Sequence, residues 1–159
     1  MDRTVDLLRG VLAGRQGAPA AGDVIVGLLG RAIQSSRSPI MHEREAARLG
    51  IACSYLLIDF DALGLPDTAL ADVLKAAAAL GFAGCNVTHP SKQQILPRLD
   101  ALAAEARALG AVNTVVFQGG KATGYNTDAW GFAQSFRDGM RGLALDRIVQ
   151  FGAGGAGAA

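Results

Sequence analysis

Four short polar segments stand at the ends of apolar runs that have the pattern of strands. In the first, Ser36 and Ser38 place two hydroxyl groups beside Arg37, immediately before Pro39. Proline favours the first position of a helix, and the unpaired N–H groups at a helix N-terminus attract anions. The segment therefore suits a carboxylate or a phosphate, although Ser38 could equally serve only as the N-cap of the helix.

The second segment runs Asn86-Val87-Thr88-His89-Pro90-Ser91-Lys92. Asn86 and Thr88 lie on the same side of an extended strand, because side chains alternate along it. Pro90 opens a predicted helix and puts Lys92 in its first turn, where the helix dipole disfavours a positive charge. A lysine in such a position is either an acid–base group or an exposed side chain that points into water.

The third and fourth segments carry Asn113 and Asp128, each at a boundary between a helix and a strand. Asparagine is an ordinary turn residue, and an acid in a first helical turn is stabilised by the dipole. Ligands of open α/β sheets gather at the carboxyl ends of the strands, so a binding role is the alternative for both residues.

A glycine-rich run after the last predicted strand matches the Gly-x-Gly-x-x-Gly fingerprint of dinucleotide-binding loops. Glycines there permit a tight turn and let a pyrophosphate approach the backbone closely. The helix and the acidic residue that complete such a site are missing from this sequence. The predicted cofactor-binding residues are Gly152, Ala153, Gly154, Gly155, Ala156 and Gly157.

Strand-like and helix-like runs alternate along the chain, which predicts an α/β fold. We expect an open, mostly parallel twisted sheet with helices on both faces and one antiparallel element. Gly119-Gly120 predicts a β-hairpin, which is that antiparallel element. Strands are predicted at Val24–Leu29, Tyr55–Phe60, Phe82–Val87, Ala111–Phe117, Lys121–Tyr125 and Arg147–Phe151.

Helical periodicity and capping residues predict helices between these strands. A short amphipathic helix is expected near the N-terminus, before a Gly-Ala-Pro stretch. The others are predicted at Pro39–Leu49 with Ser38 as N-cap, at Pro66–Leu80 with Gly81 as its end, at Pro90–Leu96, from a cap at Asp100 to Gly110, and from Asn126 or Thr127 to about Met140.

The composition of the 159 residues describes an ordinary globular chain, half of it apolar. A net charge of +1 offers no reason to expect nucleic acid or an anionic membrane as a partner. No apolar run approaches the roughly 20 residues that span a bilayer, and no secretory signal is evident. Cys53 and Cys85 lie in apolar runs and are expected to be buried thiols rather than a disulfide. We predict a cytoplasmic protein with no metal site.

Taken together, the polar segments resemble those of the shikimate and quinate dehydrogenases. Five motifs stand in the same order and at similar spacing: Ser36-Arg37-Ser38-Pro39 with His42, Asn86-Val87-Thr88-x-Pro90-x-Lys92, Gly110-Ala111-Val112-Asn113-Thr114, Gly124-x-Asn126-Thr127-Asp128 and the terminal glycine loop. The resemblance covers roughly residues 24–157. It implies an N-terminal domain that holds the substrate and a Rossmann domain that holds NADP or NAD, with the reaction in the cleft between them.

On this resemblance the chain divides into three parts. Residues 1–22 are an N-terminal extension, and residues 23–145 are the substrate-binding catalytic domain. Residues 146–159 are the first strand and glycine loop of an incomplete dinucleotide-binding domain. The chain is therefore expected to stop where that domain begins, with a frayed or self-associating C-terminal tail.

The resemblance also implies the reaction, which is the reversible NADPH-dependent reduction of 3-dehydroshikimate to shikimate in aromatic amino acid biosynthesis. Lys92 would donate a proton to the carbonyl oxygen, with Asp128 as its carboxylate partner and a further substrate contact. We expect the chain alone to bind substrate weakly and to turn over nothing, because hydride must come from the cofactor.

The remaining side chains of the motifs would bind the substrate, again by resemblance. Ser36 and Ser38 would bind its carboxylate. Asn86 and Thr88 would contact ring hydroxyls or hold the neighbouring side chains, and Asn113 would bond to a ring hydroxyl.

Several positions depart from the common pattern of the family, which leaves the exact substrate open. They are Arg31-Ala32, Ser35, Tyr125 and Ala129. Separately, the pair His42-Glu43 resembles the quinate-using branches of the family. One alternative is therefore a related cyclic hydroxy acid such as quinate, although a serine at position 38 favours shikimate. A second is a non-catalytic small-molecule binding module. A third, a methylenetetrahydrofolate dehydrogenase, is disfavoured by the paired serines and the Asn-Thr-Asp motif.

Overall fold

The computed structural model describes residues 2–14, 20 and 22–152, and its centre is one six-stranded sheet. The strands alternate with helices along the chain, as the sequence predicts. In chain order the strands are β1 (Val24–Gly30), β2 (Cys53–Asp59), β3 (Phe82–Val87), β4 (Ala101–Leu102), β5 (Thr114–Gln118) and β6 (Lys121–Tyr125).

The described residues form six α-helices, the first before β1 and the others between or after the strands. Two short 3₁₀ helices accompany them, one directly before α3 and one after α4. The α-helices are α1 (Asp2–Ala13), α2 (Ser38–Arg48), α3 (Leu70–Ala79), α4 (Ser91–Gln94), α5 (Ala104–Leu109) and α6 (Asp128–Gly139).

The strand order is β2-β1-β3-β5-β6-β4, and five of the six strands point the same way. β1 pairs in parallel with β2 and β3, and β4 pairs in parallel with β6. Only β5 runs in the opposite direction, between β3 and β6. The predicted mostly parallel sheet with one antiparallel element is confirmed.

The hairpin that creates the antiparallel strand turns at Gly119 and Gly120, whose φ angles are +58° and +73°. Two consecutive positive φ angles define the turn that matches the twist of a two-residue hairpin, and glycine adopts them without a steric penalty. The predicted turn is confirmed, although β5 begins three residues later than expected, because residues 111–113 bond to other elements.

The main core lies on the sheet face that α1 and α3 cover. Its periodic helix residues Leu8, Val73 and Leu74 pack against alternate strand residues such as Leu56 and Ile58. α2 covers β2 on the opposite face, where Leu28, Ile33 and Tyr55 form a smaller cluster. Helices therefore lie on both faces of the sheet, as predicted, and each face has its own apolar layer.

Three local predictions are wrong. Ser38 is the first residue of α2 rather than its cap, and Arg37 occupies the cap position. Asp100 caps no helix, because its carboxylate accepts the N–H of Ala122 at 2.7 Å and it precedes β4 instead. The predicted strand Arg147–Phe151 is not formed in the described part of the chain, where no neighbouring strand offers backbone partners.

The cysteines form no disulfide, and both are among the described residues. Cys85 is buried, and burial raises the pKa of its thiol to about 12, which makes it unreactive near neutral pH. Cys53 is only partly buried, so the predicted burial is incomplete there. Within the described residues, no helix is both long enough and apolar enough to cross a membrane.

Gly84 allows the close contact between β3 and β5, and we expect Gly84→Ala to destabilise the fold. A Cβ atom there would lie 2.4 Å from the Val115 carbonyl oxygen, which belongs to the backbone and cannot move aside easily. We expect a loss of about 2 kcal/mol in the free energy of unfolding, measured by urea denaturation. Gly139→Ala is the control, because nothing lies within 4 Å of its Cβ position. Equal stability of the two variants would contradict the prediction.

Candidate functional site

Sheet topology brings the four polar segments to one edge. β1, β3 and β6 all end there, and antiparallel β5 begins there, because Thr114 pairs with both Asn86 and Tyr125. The loop after β1 carries the two serines, the end of β3 leads to Lys92, and α6 follows β6 with Asp128 at its start. This is the edge at which open α/β sheets bind ligands.

Lys92 and Asp128 form an ion pair at this edge. The lysine Nζ lies 2.5 Å from the carboxylate Oδ2. The lysine side chain is 21% exposed and the aspartate side chain 32%, so both groups are partly shielded but remain within reach of a ligand. The other carboxylate oxygen, Oδ1, accepts a hydrogen bond from the side-chain amide of Asn113 at 2.8 Å. The carboxylate is thus held from both sides.

The position of Lys92 depends on its neighbours more than on its helix. α4 is a single turn, so the helix dipole that the sequence predicts to act on Lys92 is weak. The Lys92 carbonyl accepts the N–H of Val112 at 2.8 Å, and Ser91 and Ile95 on either side are buried. These contacts anchor the backbone, and the ion pair then orients the side chain.

Asp128 is held by a buried asparagine, which the sequence predicts only as a member of a motif and a possible helix cap. Asn126 is only 2% exposed, and its amide donates to the Ala111 carbonyl at 3.0 Å. Its Oδ1 accepts the backbone N–H of Asp128 at 2.9 Å. Asn126 therefore binds the start of α6 to the segment before β5, while the cap residue Thr127 makes no capping bond with its own side chain.

A row of hydrogen-bonded side chains continues from the ion pair across the sheet. The Asn86 amide donates to the Thr114 hydroxyl at 3.1 Å, and that hydroxyl donates to Asn113 Oδ1 at 2.9 Å. At the other end, the phenol of Tyr55 donates to Asn86 Oδ1 at 2.7 Å. We call these residues the polar chain, which consists of Tyr55, Asn86, Thr114, Asn113 and Asp128.

The two serines stand at the far end of the polar chain. Ser36 Oγ lies 3.1 Å from Ser38 Oγ and accepts the backbone N–H of Ser38 at 3.2 Å, so Ser36 satisfies a helix N-terminal donor. Ser38 also acts on the nearby Tyr55 phenol, whose pKa it tends to lower. Burial raises the pKa of that phenol, against the opposing effect of Ser38, and the phenol remains protonated as a donor.

The loop that carries the serines depends on Asp59, which is only 1% exposed at the end of β2. One carboxylate oxygen accepts the N–H of Ile33 at 3.1 Å and the Gln34 amide at 3.0 Å, and the other accepts the N–H of Asp61 at 3.0 Å. Burial alone would raise the pKa of Asp59. The hydrogen bonds outweigh burial and hold the pKa below its usual value.

Arg31 secures the start of the same loop. Its guanidinium contacts the carboxylates of Asp61 and Asp67 and donates to the Leu65 carbonyl at 2.9 Å. Ala32 beside it has a φ angle of +52°, a left-handed conformation that alanine rarely adopts. The N–H of Ala32 donates to Asp61 at 3.1 Å, which holds this conformation in place. Arg31-Ala32, a departure from the family pattern, therefore has a structural role.

Thr88 stands apart from the polar chain. Its backbone N–H donates to the Leu29 carbonyl at 3.0 Å, and its methyl group lies against Gly30, where a Cβ would come within 2.5 Å. It holds the end of β3 beside β1, and a contact with a substrate hydroxyl stays a prediction. Of the predicted cofactor loop, Gly152 has a φ angle of +95° and is exposed, while residues 153–157 lie outside the described part.

The sequence did not point to Tyr55 and Asp59 as parts of the site, and it placed Asn126 and Thr114 there only as members of motifs. Tyr55 and Asp59 had the pattern of ordinary strand residues. The available signal was their polarity within an apolar run, because a buried polar side chain needs a specific partner. In the described residues no buried side-chain nitrogen or oxygen lacks such a partner.

The arrangement can bind a small polar molecule and move a proton. Hydroxyl groups and a helix N-terminus at one end suit a carboxylate. A lysine held by a carboxylate at the other end suits general acid–base chemistry at an oxygen atom. The fold and site together define an α/β ligand-binding domain of an enzyme with its reactive groups at the carboxyl edge of the sheet.

Comparison with known proteins identifies the family. Residues 28–115 match the family model described as the shikimate dehydrogenase substrate binding domain. The match covers more than half of the chain, and the chain belongs to this family. The predicted family is confirmed.

Individual relatives agree with this assignment. A shikimate dehydrogenase (NADP(+)) from Streptomyces avermitilis is 55% identical over 135 residues, which are 85% of this chain and 46% of that protein. The quinate dehydrogenase of Corynebacterium glutamicum, solved in complex with NAD, is 45% identical with a TM-score of 0.76, over 85% of this chain and 48% of that one. The shikimate 5-dehydrogenase of Thermus thermophilus, solved with shikimate, is 38% identical with a TM-score of 0.74, over 85% and 49%. The chain spans about half the length of the curated relatives it matches.

Asp59 makes the stability of the domain depend on pH. Because its pKa is lowered in the folded state, its stabilising effect is present above the unfolded pKa of about 3.9 and is lost as the pH falls through the folded pKa. We expect Asp59→Asn to lower the free energy of unfolding by about 1–3 kcal/mol at pH 7, since an amide cannot accept all of these donors. The difference in the free energy of unfolding between the unchanged chain and Asp59→Asn should become smaller below about pH 4, as measured by urea denaturation across pH. A constant gap from pH 7 to pH 3 would contradict this.

Proposed function

We propose that this chain is the substrate-binding half of an NAD(P)-dependent shikimate dehydrogenase that reduces 3-dehydroshikimate to shikimate. The observation that carries the proposal is that the Lys92–Asp128 ion pair, the polar chain and the paired serines lie at the same edge of the sheet. A polyhydroxylated ring with a carboxylate offers matching groups at both ends. The relatives that bear this name support the assignment.

Ser36 and Ser38 would bind the carboxylate of the substrate. Their hydroxyls are only 3.1 Å apart at the start of α2, an eleven-residue helix whose N-terminal N–H groups favour an anion. Arg37 between them adds a positive charge to the same loop. Asn86 and Asn113 present amides beside this loop and beside Asp128, where they could contact ring hydroxyls.

Lys92 would act at the carbonyl group that is reduced. Its ammonium group can donate a proton to the oxygen atom as that atom gains negative charge, and the contact with Asp128 keeps the ammonium oriented beforehand. The same pair, working in reverse, would accept the hydroxyl proton when shikimate is oxidised. Partial shielding from solvent strengthens both interactions.

A nicotinamide cofactor, when bound, would supply the hydride for this reduction. Gly152 has the positive φ angle that the tight turn of a dinucleotide-binding loop requires, and we propose residues 152–157 as that loop. By the same reasoning, residues 146–159 would begin a dinucleotide-binding domain after a substrate domain at 23–145 and an extension at 1–22. We propose that the protein works in the cytoplasm.

Quinate is the second candidate substrate, and a specific observation favours keeping it. The Corynebacterium quinate dehydrogenase is 45% identical to this chain, which is as similar as several relatives named for shikimate alone. The two acids share the carboxylate and the ring hydroxyls, so the same site could hold either. A binding module without catalysis would use the serines but would not need the Lys92–Asp128 pair.

Titration of shikimate and quinate into the purified chain tests the proposal. We expect saturable shikimate binding in two-dimensional NMR spectra, with shifts at the backbone amides of α2 and the end of β3. The double variant Ser36→Ala/Ser38→Ala should weaken binding at least about tenfold, because the carboxylate loses two donors.

The control for this titration is Ser135→Ala, an exposed serine on α6 away from the serine loop. It should bind shikimate as the unchanged chain does. The absence of saturable binding in a folded chain at millimolar shikimate would contradict the proposed substrate. Tighter binding of quinate than of shikimate would favour the second candidate.

Self-association through the C-terminal segment also stays a prediction, and the exposure of its apolar residues supports it. Ile148 is 61% exposed and Phe151 is 95% exposed. We expect the sedimentation coefficient to rise with protein concentration, and Ile148→Ser/Phe151→Ser to abolish that rise by removing apolar surface. A concentration-independent monomer would contradict this prediction.

A further inference from the structure

We infer that Tyr55 and Thr114 are positioning residues of the proposed site, which match the orientation of the Asn86 amide to that of the Asn113 amide between the serine loop and the Lys92–Asp128 pair. This inference rests on the proposed function for its substrate, but the orientation of the amides can be measured without one.

The donor and acceptor roles along the polar chain are set at its Asp128 end. The backbone N–H of Thr127 donates to Asn113 Oδ1 at 3.1 Å, and a backbone N–H can only donate. The oxygen of the Asn113 amide must therefore face Thr127. Its NH₂ group then faces the Thr127 hydroxyl at 2.9 Å and Asp128 Oδ1 at 2.8 Å. A reversed amide would place an oxygen against the carboxylate, which is repulsive.

Thr114 links the orientation of the Asn113 amide to that of the Asn86 amide. Its hydroxyl has one proton, and that proton goes to Asn113 Oδ1, which is 2.9 Å away. The Thr114 oxygen can then only accept, and the group that donates to it is the NH₂ of Asn86 at 3.1 Å. The Asn86 amide is thereby forced to present its NH₂ to Thr114 and its Oδ1 in the opposite direction.

Tyr55 supplies the hydrogen-bond donor for Asn86 Oδ1. Tyr55 is 4% exposed, and its phenol donates to Asn86 Oδ1 at 2.7 Å. The ring stacks on His42 with centroids 4.8 Å apart, which holds the phenol in place. The orientation set at Thr127 thus extends through the Asn113 amide, the Thr114 hydroxyl and the Asn86 amide to the phenol of Tyr55.

Thr114→Val tests the central link, because valine keeps the shape of threonine and removes the hydroxyl. We expect the side-chain amide resonances of both Asn86 and Asn113 to shift and their protons to exchange about tenfold faster. Shikimate affinity should fall about tenfold, whereas Thr114→Ser should restore both properties. Thr123→Val is the matched control, since it makes the same change in the same hairpin, outside the polar chain.

Tyr55→Phe tests the direction of the polar chain. Because the orientation is set at Thr127, this variant should alter the Asn86 amide and weaken shikimate binding but leave the Asn113 amide unchanged. The melting temperature of each variant, measured in parallel, shows that it is folded.

The inference is overturned if Thr114→Val leaves both amides unchanged, if Thr114→Ser behaves like Thr114→Val, or if Tyr55→Phe alters Asn113 rather than Asn86. Should the unchanged chain not bind shikimate, the proposed substrate is wrong, and the amide resonances still decide the positioning role.

Discussion

Asn113 connects more of this structure than any other residue of the site. Its backbone N–H donates to Tyr125 at 3.0 Å and its carbonyl accepts from Val87 at 2.7 Å, so it joins the ends of β3 and β6. Its side chain then contacts Thr114, Thr127 and Asp128. One residue at the start of the antiparallel strand therefore places a carboxylate from one segment beside a lysine from another.

The antiparallel strand is what makes this placement possible. In a wholly parallel sheet the segment before β5 would lie at the opposite edge, far from Lys92. Because the hairpin at Gly119-Gly120 reverses the chain, the residues before β5 and those after β6 meet at one edge. The serine loop is brought to the same edge by a different device, the buried carboxylate of Asp59.

Hydrogen bonds among the polar side chains explain why the site is ordered without being fully buried. Each amide and hydroxyl of the polar chain has a partner of the right kind, so the side chains need no ligand to hold their orientations. Preorganised donors lose little entropy when a substrate arrives, which favours both binding and proton transfer. The Lys92–Asp128 pair is left at the exposed end, where a reacting carbonyl group could approach it.

The sequence by itself determined the α/β class, the antiparallel hairpin, the family and the segments that form the site. Period-2 and helical patterns, turn glycines and ordered motifs are local properties, and a single chain displays them directly. Only the tertiary structure decided which of these segments touch and that Tyr55 and Asp59 belong with them. It also decided that the hydroxyl of Ser36 accepts the N–H at the start of α2, and that residues 147–151 form no strand. The physical reason is that a hydrogen bond between side chains about 30 positions apart, or a strand that needs a neighbour, depends on partners that local patterns do not contain.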